Sequence, residues 1–369
     1  MRGARTRCRF KGCWANVWTT VRRRIEGVEA AWERAKRVLS EEGWNLEAFE
    51  QPLSWPFAPR PLSISKARGT LYGVAIGDAL GAAAEGQSRS KLAARPVHRL
   101  EPHHGLPAGS VTDDTQLTLA LAESVLACGT PDPEDLVRRF LDVAPRLVGG
   151  GWATRQALER LGRGAAWWLA GSASAGNGAA MRAAPVGLFF ETPDAIRKAA
   201  LLQAIVTHRD RTAVASAVVH ALWVGWLARG GPATPAALGW LTEAVAGLER
   251  PLAVRQRGRK HATLAGRLRE VERFVGRPQE ALDHFRTGAF VLESLPSAAA
   301  VFLSFPETPE DAYLTLVNAG GDTDTMAALA GAWLGAHLGD RKLRSRTPSD
   351  WWEVNVAAEI ERISRLGAS

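Results

Sequence analysis

From about Arg68 onward, apolar residues recur at the three- to four-residue spacing of amphipathic helices. Alternating apolar and polar runs of the kind that predict strands are nearly absent. Several helical runs open with a proline close to an Asp, Thr or Ser, as prolines in a first helical turn do. These prolines are Pro133, Pro193 and Pro235. The pattern predicts one all-α domain over residues 68–369.

Residues 1–67 have a different pattern and are predicted to be an N-terminal extension. Within it, Ile25–Gly43 places its apolar residues on one helical face and ends in a glycine, which predicts an amphipathic helix. The stretch Gln51–Ser65 carries four prolines and is predicted to be a linker to the helical domain.

Composition and charge separate the extension from the domain. The 369-residue chain is 46% apolar, which is enough to bury a sizeable core. Its net charge of +8 lies in the extension, because the first 24 residues contain eight Lys or Arg and no acid. Such a basic arm could contact nucleic acid, but a solvated arm is the favoured interpretation. Nucleic acid is therefore a possible and less favoured partner.

Cysteine usage and hydropathy exclude several classes of protein. The three cysteines form neither a disulfide framework nor a zinc-type CxxC pair, which favours a reducing, cytoplasmic setting. The longest uncharged run, Thr212–Ala228, has 17 residues and contains His220. That length is at the short limit for a membrane span, so a buried core helix is predicted and a membrane partner is not expected.

Four glycines recur at every fourth residue near the start of the predicted domain; they are Gly69, Gly73, Gly77 and Gly81. Each glycine costs a helix about 1 kcal/mol relative to alanine. Four in register therefore indicate that another backbone or a ligand closely approaches this helix face. Asp78 and Glu85 are seven residues apart and are predicted to share a face of the same helix.

Two acidic stretches place carboxylates at predicted helix starts. Thr112–Thr115 reads TDDT ahead of an amphipathic run, and Gly320–Thr325 reads GGDTDT ahead of an apolar one. Taken singly, either stretch could be an ordinary helix cap, because Asp and Thr cap helices. The second carboxylate of GGDTDT would lie inside the first turn, where capping explains it less well.

Taken together, the two acidic stretches suggest a metal site. If the helix starts converge, four carboxylates share a small volume, and like charges raise one another's pKa values unless cations neutralise them. Oxygen ligands without Cys or His favour Mg²⁺, Mn²⁺ or Ca²⁺, and EF-hand spacing is absent. A site for two ions, held by both stretches, is the most economical interpretation.

Two further stretches carry candidate ligand-binding residues. Ser172–Leu188 reads SASAGNGAAMRAAPVGL, and its glycines would let backbone N–H groups face an anion. His208 lies at a predicted helix junction in IVTHRDRT. The alternative interpretation of His208 is a satisfied core histidine.

The motifs GDALGAAAE, TDDT, GNGAAMR, TH and GGDTDT occur in this order over roughly residues 68–340. In this combination the sequence resembles the ADP-ribosylglycohydrolase family, which includes hydrolases of ADP-ribosylarginine, ADP-ribosylserine and ADP-ribosylated dinitrogenase reductase. The resemblance implies a compact, orthogonal multi-helix fold and a centre of two Mg²⁺ or Mn²⁺ ions. It also implies hydrolysis of the bond between ribose C1″ and an ADP-ribosylated side chain or small conjugate.

The resemblance assigns a role to each matching position. Asp113 and Glu85 would be catalytic, with the choice of acid and base left open. The implied metal ligands are Thr112, Asp113, Asp114, Asp322, Asp324 and Thr325. The implied substrate-binding residues are Gly176, Asn177, Gly178 and His208. For Asp78, a structural hydrogen bond and a catalytic role are both open.

Two features depart from the family pattern. The first 67 residues have no counterpart in the minimal family module. Ala175 stands where some members place an aromatic ring against adenine, so adenine stacking would need another ring, for which Trp167 and Trp168 are candidates. An ADP-ribose-binding or structural protein without turnover is the alternative function. The expected partner is an ADP-ribosylated protein or small conjugate, and a monomer is expected.

Overall fold

The computed structural model describes residues 29–129, 132–249 and 263–367. In chain order its helices are α1 (29–41), α2 (Glu47–Glu50), α3 (Ile64–Gly81), α4 (Arg89–Ala94), α5 (Asp113–Cys128), α6 (Pro133–Val143), α7 (Trp152–Gly162), α8 (Trp167–Ala170), α9 (Ala184–Phe189), α10 (Pro193–Ile205), α11 (Arg211–Ala228), α12 (Ala236–Ala244), α13 (Leu264–Val271), α14 (Pro278–Phe285), α15 (Val291–Ser304), α16 (Pro309–Val317), α17 (Thr323–Leu338), α18 (Asp340–Arg344) and α19 (Ala357–Gly367). The described residues form no β-strand, so the predicted all-α class is confirmed. Pro133 and Pro193 begin their helices as predicted, whereas Pro235 immediately precedes α12.

The centre of the fold is an antiparallel seam between α3 and α17. A Cβ atom added to Gly69 would lie 2.8 Å from the Gly335 carbonyl oxygen, and one added to Gly81 would lie 2.6 Å from the Thr323 carbonyl oxygen. Real Cβ atoms do not approach a backbone so closely, so the glycine series leaves room for the backbone of α17. Of the two groups that the sequence suggested, a backbone or a ligand, the backbone is the one that approaches this face. The antiparallel arrangement brings the first turn of α17 to the last turn of α3.

Helix α5 joins the same end of the seam through Asp78. This buried carboxylate accepts hydrogen bonds from the Thr112 N–H and hydroxyl, at 3.0 and 2.8 Å, and from the Thr115 N–H and hydroxyl, at 3.0 and 2.5 Å. A side chain of α3 therefore satisfies the free N–H groups at the start of α5. Of the two roles left open for Asp78, the hydrogen bonds account for the structural one.

Glu85 does not share a helix face with Asp78. Helix α3 ends at Gly81, and Glu85 lies in the turn that follows it. The seven-residue spacing therefore misled the prediction, because it assumes a helix that continues through Glu85. The turn nevertheless returns Glu85 to the end of the seam, where its carboxyl group is half exposed.

The predicted core helix is present as α11. It is the one helix among the described residues long and apolar enough to cross a membrane, and 94% of its apolar window is buried inside the protein. Its Trp223 ring packs 4.4 Å, centroid to centroid, from that of Trp333 in α17. Helix α11 thus packs against the seam.

The extension packs against the helical body along its described length. Trp32 of α1 and Phe49 of α2 are buried and stack on each other. Residues 51–63 of the predicted linker Gln51–Ser65 form a strap without helix, whereas its last two residues, Ile64 and Ser65, belong to α3. The Phe57 ring of the strap meets Trp226 edge-on at 4.9 Å. The predicted domain boundary at residues 67 and 68 falls inside α3. The basic segment 1–24 and the predicted start of the first helix lie outside the described residues.

Candidate active site

A cleft of about 480 Å³ opens where α3, α5 and α17 meet. Its walls come from helix starts and from glycine-rich loops, and include most of the sequence-predicted site residues. Those lining it are Glu85, Asp113, Asp114, Gly176, Asn177, Gly178, His208, Asp322, Asp324 and Thr325. Thr112 does not line the cleft, and its hydroxyl hydrogen points to Asp78.

The acidic stretches begin α5 and α17 as predicted, but the side chains at their two N-cap positions do not cap these helices. Thr112 and Asp322 occupy the N-cap positions, and neither side chain accepts a capping hydrogen bond from its own helix. The Asp322 carboxylate instead accepts a hydrogen bond from the Asn177 side-chain amide. Capping, the ordinary interpretation of these residues, therefore does not account for Asp322, whereas Asp324 Oδ1 accepts the Thr325 N–H of the first turn at 2.9 Å.

The two helix starts converge. The Thr325 hydroxyl of α17 donates to Asp114 Oδ2 of α5 at 3.3 Å. Carboxylate oxygens of Glu85, Asp322 and Asp324 all lie within 4.8 Å of one another. This spacing would let one cation contact all three groups.

Burial and mutual repulsion raise the pKa values of the clustered acids. Burial is the larger cause for Asp114 and Asp324; the charge of Asp324 further raises the pKa of Asp114, and the charge of Asp322 further raises that of Asp324. Burial also raises the pKa of Asp113 to about 7, against a lowering hydrogen bond from the Gly150 N–H. The pKa of Glu85 is raised by burial and then by the charge of Asp322. Like-charged groups this close favour either protonation or a bound cation.

One oxygen in the cluster has the character of a metal ligand. Asp114 Oδ1 is buried and accepts no hydrogen bond from the part of the chain that the structure describes. An unsatisfied buried carboxylate oxygen is costly, and a cation would satisfy it. Because the surrounding donors are carboxylate and hydroxyl oxygens, the site fits a hard divalent cation.

The GNG loop forms the opposite wall of the cleft and is tied to the acidic cluster. The Asn177 amide donates to Ser294 Oγ at 3.1 Å as well as to Asp322. A Cβ atom at Gly178 would lie 2.9 Å from His208 Cε1. Glycine at this position therefore lets the loop pass directly against the imidazole.

His208 is buried yet lines the cleft, which a satisfied core histidine would not do. Arg182 Nη2 donates to the Thr207 hydroxyl at 2.7 Å, and this hydroxyl lies 2.8 Å from His208 Nδ1. Burial, with the nearby Arg182 charge, lowers the pKa of His208 to about 3, so the imidazole is neutral. The Thr207 hydroxyl donates its one proton to Nδ1, and the remaining imidazole N–H at Nε2 is free for a ligand.

Several cleft residues escaped the sequence analysis. The glycines Gly149–Gly151 and the following Trp152, which is 65% exposed, form the rim, and His104 faces Glu85. A run of three glycines before a helix was the available signal for this rim. The candidate rings Trp167 and Trp168 do not line the cleft, and Trp167 is buried.

Comparison with known proteins agrees with this geometry. A sequence model described as ADP-ribosylglycohydrolase matches residues 59–367, which include every cleft residue. The chain belongs to the ADP-ribosylglycohydrolase family. The predicted family and hydrolase class are therefore confirmed, and residues 29–58 precede the matched region.

Individual relatives extend over most of the chain. ADP-ribosylhydrolase ARH3 of Bos taurus is 30% identical over 325 residues, which cover 78% of this chain and 88% of that protein. ADP-ribosylarginine hydrolase Tri1 of Serratia proteamaculans is 30% identical over 327 residues, covering 84% of this chain and 79% of that protein. A solved ADP-ribosylglycohydrolase-related protein complex has 31% identity and a TM-score of 0.64, and covers 83% of this chain and 97% of its own.

Proposed function

We propose that this chain hydrolyses the glycosidic bond at ribose C1″ of ADP-ribosylated side chains, or of related conjugates, and releases ADP-ribose. The observation that carries the proposal is the meeting of two carboxylate-bearing helix starts, α5 and α17, across one cleft from the GNG loop and His208. The carboxylates suit the reacting ribose. The loop and the imidazole N–H suit the diphosphate and the rest of ADP-ribose.

The acidic cluster would hold two divalent cations, Mg²⁺ or Mn²⁺. The ligands would come from Asp113, Asp114, Asp322, Asp324 and Thr325, with Asp114 Oδ1 the oxygen that most needs a cation. When bound, such ions orient ribose hydroxyls and acidify a water molecule. The hydroxyl oxygen of Thr112 keeps lone pairs but faces Asp78, so its part as a ligand is the weakest of the set.

Two carboxyl groups are placed to move protons during the reaction. Glu85 is half exposed at the cleft and has a raised pKa, which suits a group that protonates the departing acceptor. Asp113 is buried beside the Gly150 N–H and has a pKa of about 7, which suits the removal of a proton from water. An oxocarbenium-like transition state at C1″ would gain from the surrounding negative charge.

The direct test is a release assay on the purified full chain. Matched peptides carrying ADP-ribosyl-arginine or ADP-ribosyl-serine are incubated with the protein as purified, with EDTA, and with EDTA followed by excess Mg²⁺ or Mn²⁺. Release that EDTA abolishes and one of the metals restores is the expected result. Binding of ADP-ribose without release from either peptide would contradict turnover and favour the binding-protein alternative.

A further inference from the structure

A second, open depression of about 430 Å³ lies beside the cleft and shares a thin wall with it. The wall consists of two short segments that hydrogen-bond to each other. The Gly86 N–H donates to the Gly321 carbonyl at 2.8 Å, and the Gly321 N–H donates to the Gln87 carbonyl at 3.1 Å. The neighbouring residues Glu85 and Asp322 line the cleft. We call the depression the side basin, defined by Gln87, Arg89, Asp283, Arg286, Thr287 and Gly321.

Positive charge distinguishes the side basin from the acidic cleft. Two arginines, Arg89 and Arg286, line it together with one acid, Asp283. Arg89 Nη1 lies 2.6 Å from Asp283 Oδ1, so these two charges neutralise each other. Arg286 is exposed and forms no ion pair with any residue that the structure describes. The side basin thus carries one positive charge without a partner, which favours an anionic ligand.

The backbone of Arg286 is in a conformation that suits glycine. Its φ of 75° and ψ of 178° lie in a region that residues with a side chain almost never occupy. Hydrogen bonds fix the chain there: the Arg286 N–H donates to the Leu282 carbonyl at 3.0 Å, and the Arg286 carbonyl accepts from Ser297 Oγ at 2.6 Å. An arginine at such a position costs stability, and such strain is concentrated at functional sites. We infer that the long cationic side chain has a role at the surface.

A polypeptide bound at the cleft can reach the side basin. Glu85 of the cleft and Gln87 of the basin are two residues apart, so their Cα atoms are separated by at most about 7 Å. An extended peptide advances about 3.3 Å per residue. The top of the wall is open to solvent, because Glu85, Gly86 and Ser88 are exposed. A side chain two to four positions from one held in the cleft therefore lies within reach of Arg286.

We propose that the side basin binds an acidic residue of the ADP-ribosylated protein, two to four positions from the modified side chain. This inference rests on the proposed function and adds to it the sequence that surrounds the modified residue. The planar guanidinium of Arg286 can donate two parallel N–H groups to one carboxylate. The contact does not depend on the linkage at ribose C1″, because it involves a neighbouring residue of the acceptor protein.

The test compares the release of ADP-ribose from two peptides that carry the same cleavable linkage. One peptide has aspartates two to four positions from the modified residue on both sides, and the other has asparagines there. The wild-type chain is expected to have a kcat/KM about fivefold higher for the aspartate peptide, through a lower KM, as for an exposed ion pair. In about 1 M salt the ratio of the two kcat/KM values should fall close to one, because salt screens exposed charges.

Three variants assign the preference to the side basin. Arg286→Gly removes the guanidinium and suits the backbone conformation, so the ratio should fall to about one without a loss of melting temperature. Asp283→Asn removes the acid that neutralises Arg89, so the ratio should rise. Arg99→Gln is the matched control, because Arg99 is an exposed arginine outside both the cleft and the side basin. This variant should keep the wild-type ratio.

The possible outcomes separate this inference from the proposed function. A wild-type ratio close to one, or a ratio that persists in Arg286→Gly, would overturn the binding of an acidic residue. An equal loss on both peptides in Arg286→Gly would also overturn it, since the role of Arg286 would then be structural. Release from neither peptide would contradict the proposed function. The affinities of the protein for the two uncleaved peptides would then provide the same comparison for the side basin.

Discussion

At the residue scale, the acids of the cleft make the metal-free protein sensitive to pH. Burial raises the pKa of Asp113 to about 7, and it also raises the pKa values of Asp114 and Asp324 well above the ordinary range. A carboxyl group whose folded pKa exceeds its unfolded value stabilises the fold at low pH and loses that contribution as pH rises.

The metal-free chain is therefore expected to lose thermal stability between about pH 4 and pH 7. Excess Mg²⁺ or Mn²⁺ should restore stability at pH 7, because cations replace the protons. Scanning calorimetry with and without EDTA across this range measures both effects. A melting temperature that is independent of pH in EDTA would contradict the raised pKa values of the clustered acids.

Substitution of Asp114 separates stability from metal binding. Asp114→Asn removes a buried carboxyl group that the metal-free fold holds protonated against its ordinary pKa, so the melting temperature of the metal-free protein at pH 7 should rise by about 2–4 °C. The same substitution should abolish stabilisation by added metal and reduce ADP-ribose release at least a hundredfold. Calorimetry and the release assay report the two effects. Undiminished metal stabilisation would exclude Asp114 as a ligand.

The orientation of His208 depends on a hydroxyl group that does not itself line the cleft. Thr207→Val keeps the shape of the side chain but removes the proton donated to His208 Nδ1. We expect ADP-ribose affinity to fall about tenfold, as for the loss of one oriented hydrogen bond, and nitrogen-15 NMR to show a mixture of imidazole tautomers. Thr207→Ser should restore both. A single unchanged tautomer in Thr207→Val would show that the hydrogen bonds from Arg182 through Thr207 do not orient His208.

Trp152 is the ring that the cleft offers for stacking against a base. Stacking on an aromatic side chain contributes about 1–3 kcal/mol per base, so Trp152→Ala should weaken ADP-ribose binding about tenfold or more. Trp168→Ala is the control, since Trp168 lies outside the cleft beneath Arg34. Isothermal titration of ADP-ribose measures both variants. An equal effect of the two would exclude a specific role for Trp152.

At the scale of the helices, the α3–α17 seam holds the acidic cluster together. Gly73→Ala would place a methyl group on the Gly331 carbonyl, so we expect a loss of about 1–3 kcal/mol in unfolding free energy and weaker metal binding. Gly239→Ala is the matched control, because Gly239 is an exposed residue of α12 with open space at its Cβ position. That change should stabilise the chain by about 0.5–1 kcal/mol. Urea titrations compare the two variants.

The sequence predicted those elements in which local pattern and tertiary contact agree. Periodicity and cap residues located α5 and α17. The glycine spacing indicated a close contact along α3, because the close approach of another helix requires glycine at every fourth residue. Glu85 was misplaced relative to α3, because the end of this helix depends on contacts beyond it. His104 could not be found, because only the fold brings it to Glu85 at the cleft.

At the scale of the whole molecule, the extension has a structural consequence for any truncation. Its strap covers Trp226 and Trp240, and the turn after α1 places Glu42 Oε1 2.5 Å from Nη2 of Arg209, the residue after His208. Deletion of residues 1–62 is therefore expected to lower the melting temperature and ADP-ribose affinity together.

The role of the basic arm is better tested by deletion of residues 1–24, with nucleic-acid affinity measured by fluorescence anisotropy. Unchanged affinity would exclude nucleic acid as a partner of the arm.

The seam also fixes when during synthesis the chain can become active. The Thr323 hydroxyl of α17 donates to the Gly81 carbonyl of α3, across 242 residues of sequence. Contacts this distant form only after the intervening chain has been made, and they are slow to close. A ribosome-bound chain that stops short of α17 holds Glu85, Asp113 and Asp114 but lacks the other half of the cluster. Hydrolysis can therefore begin only after α17 has been synthesised and has packed against α3.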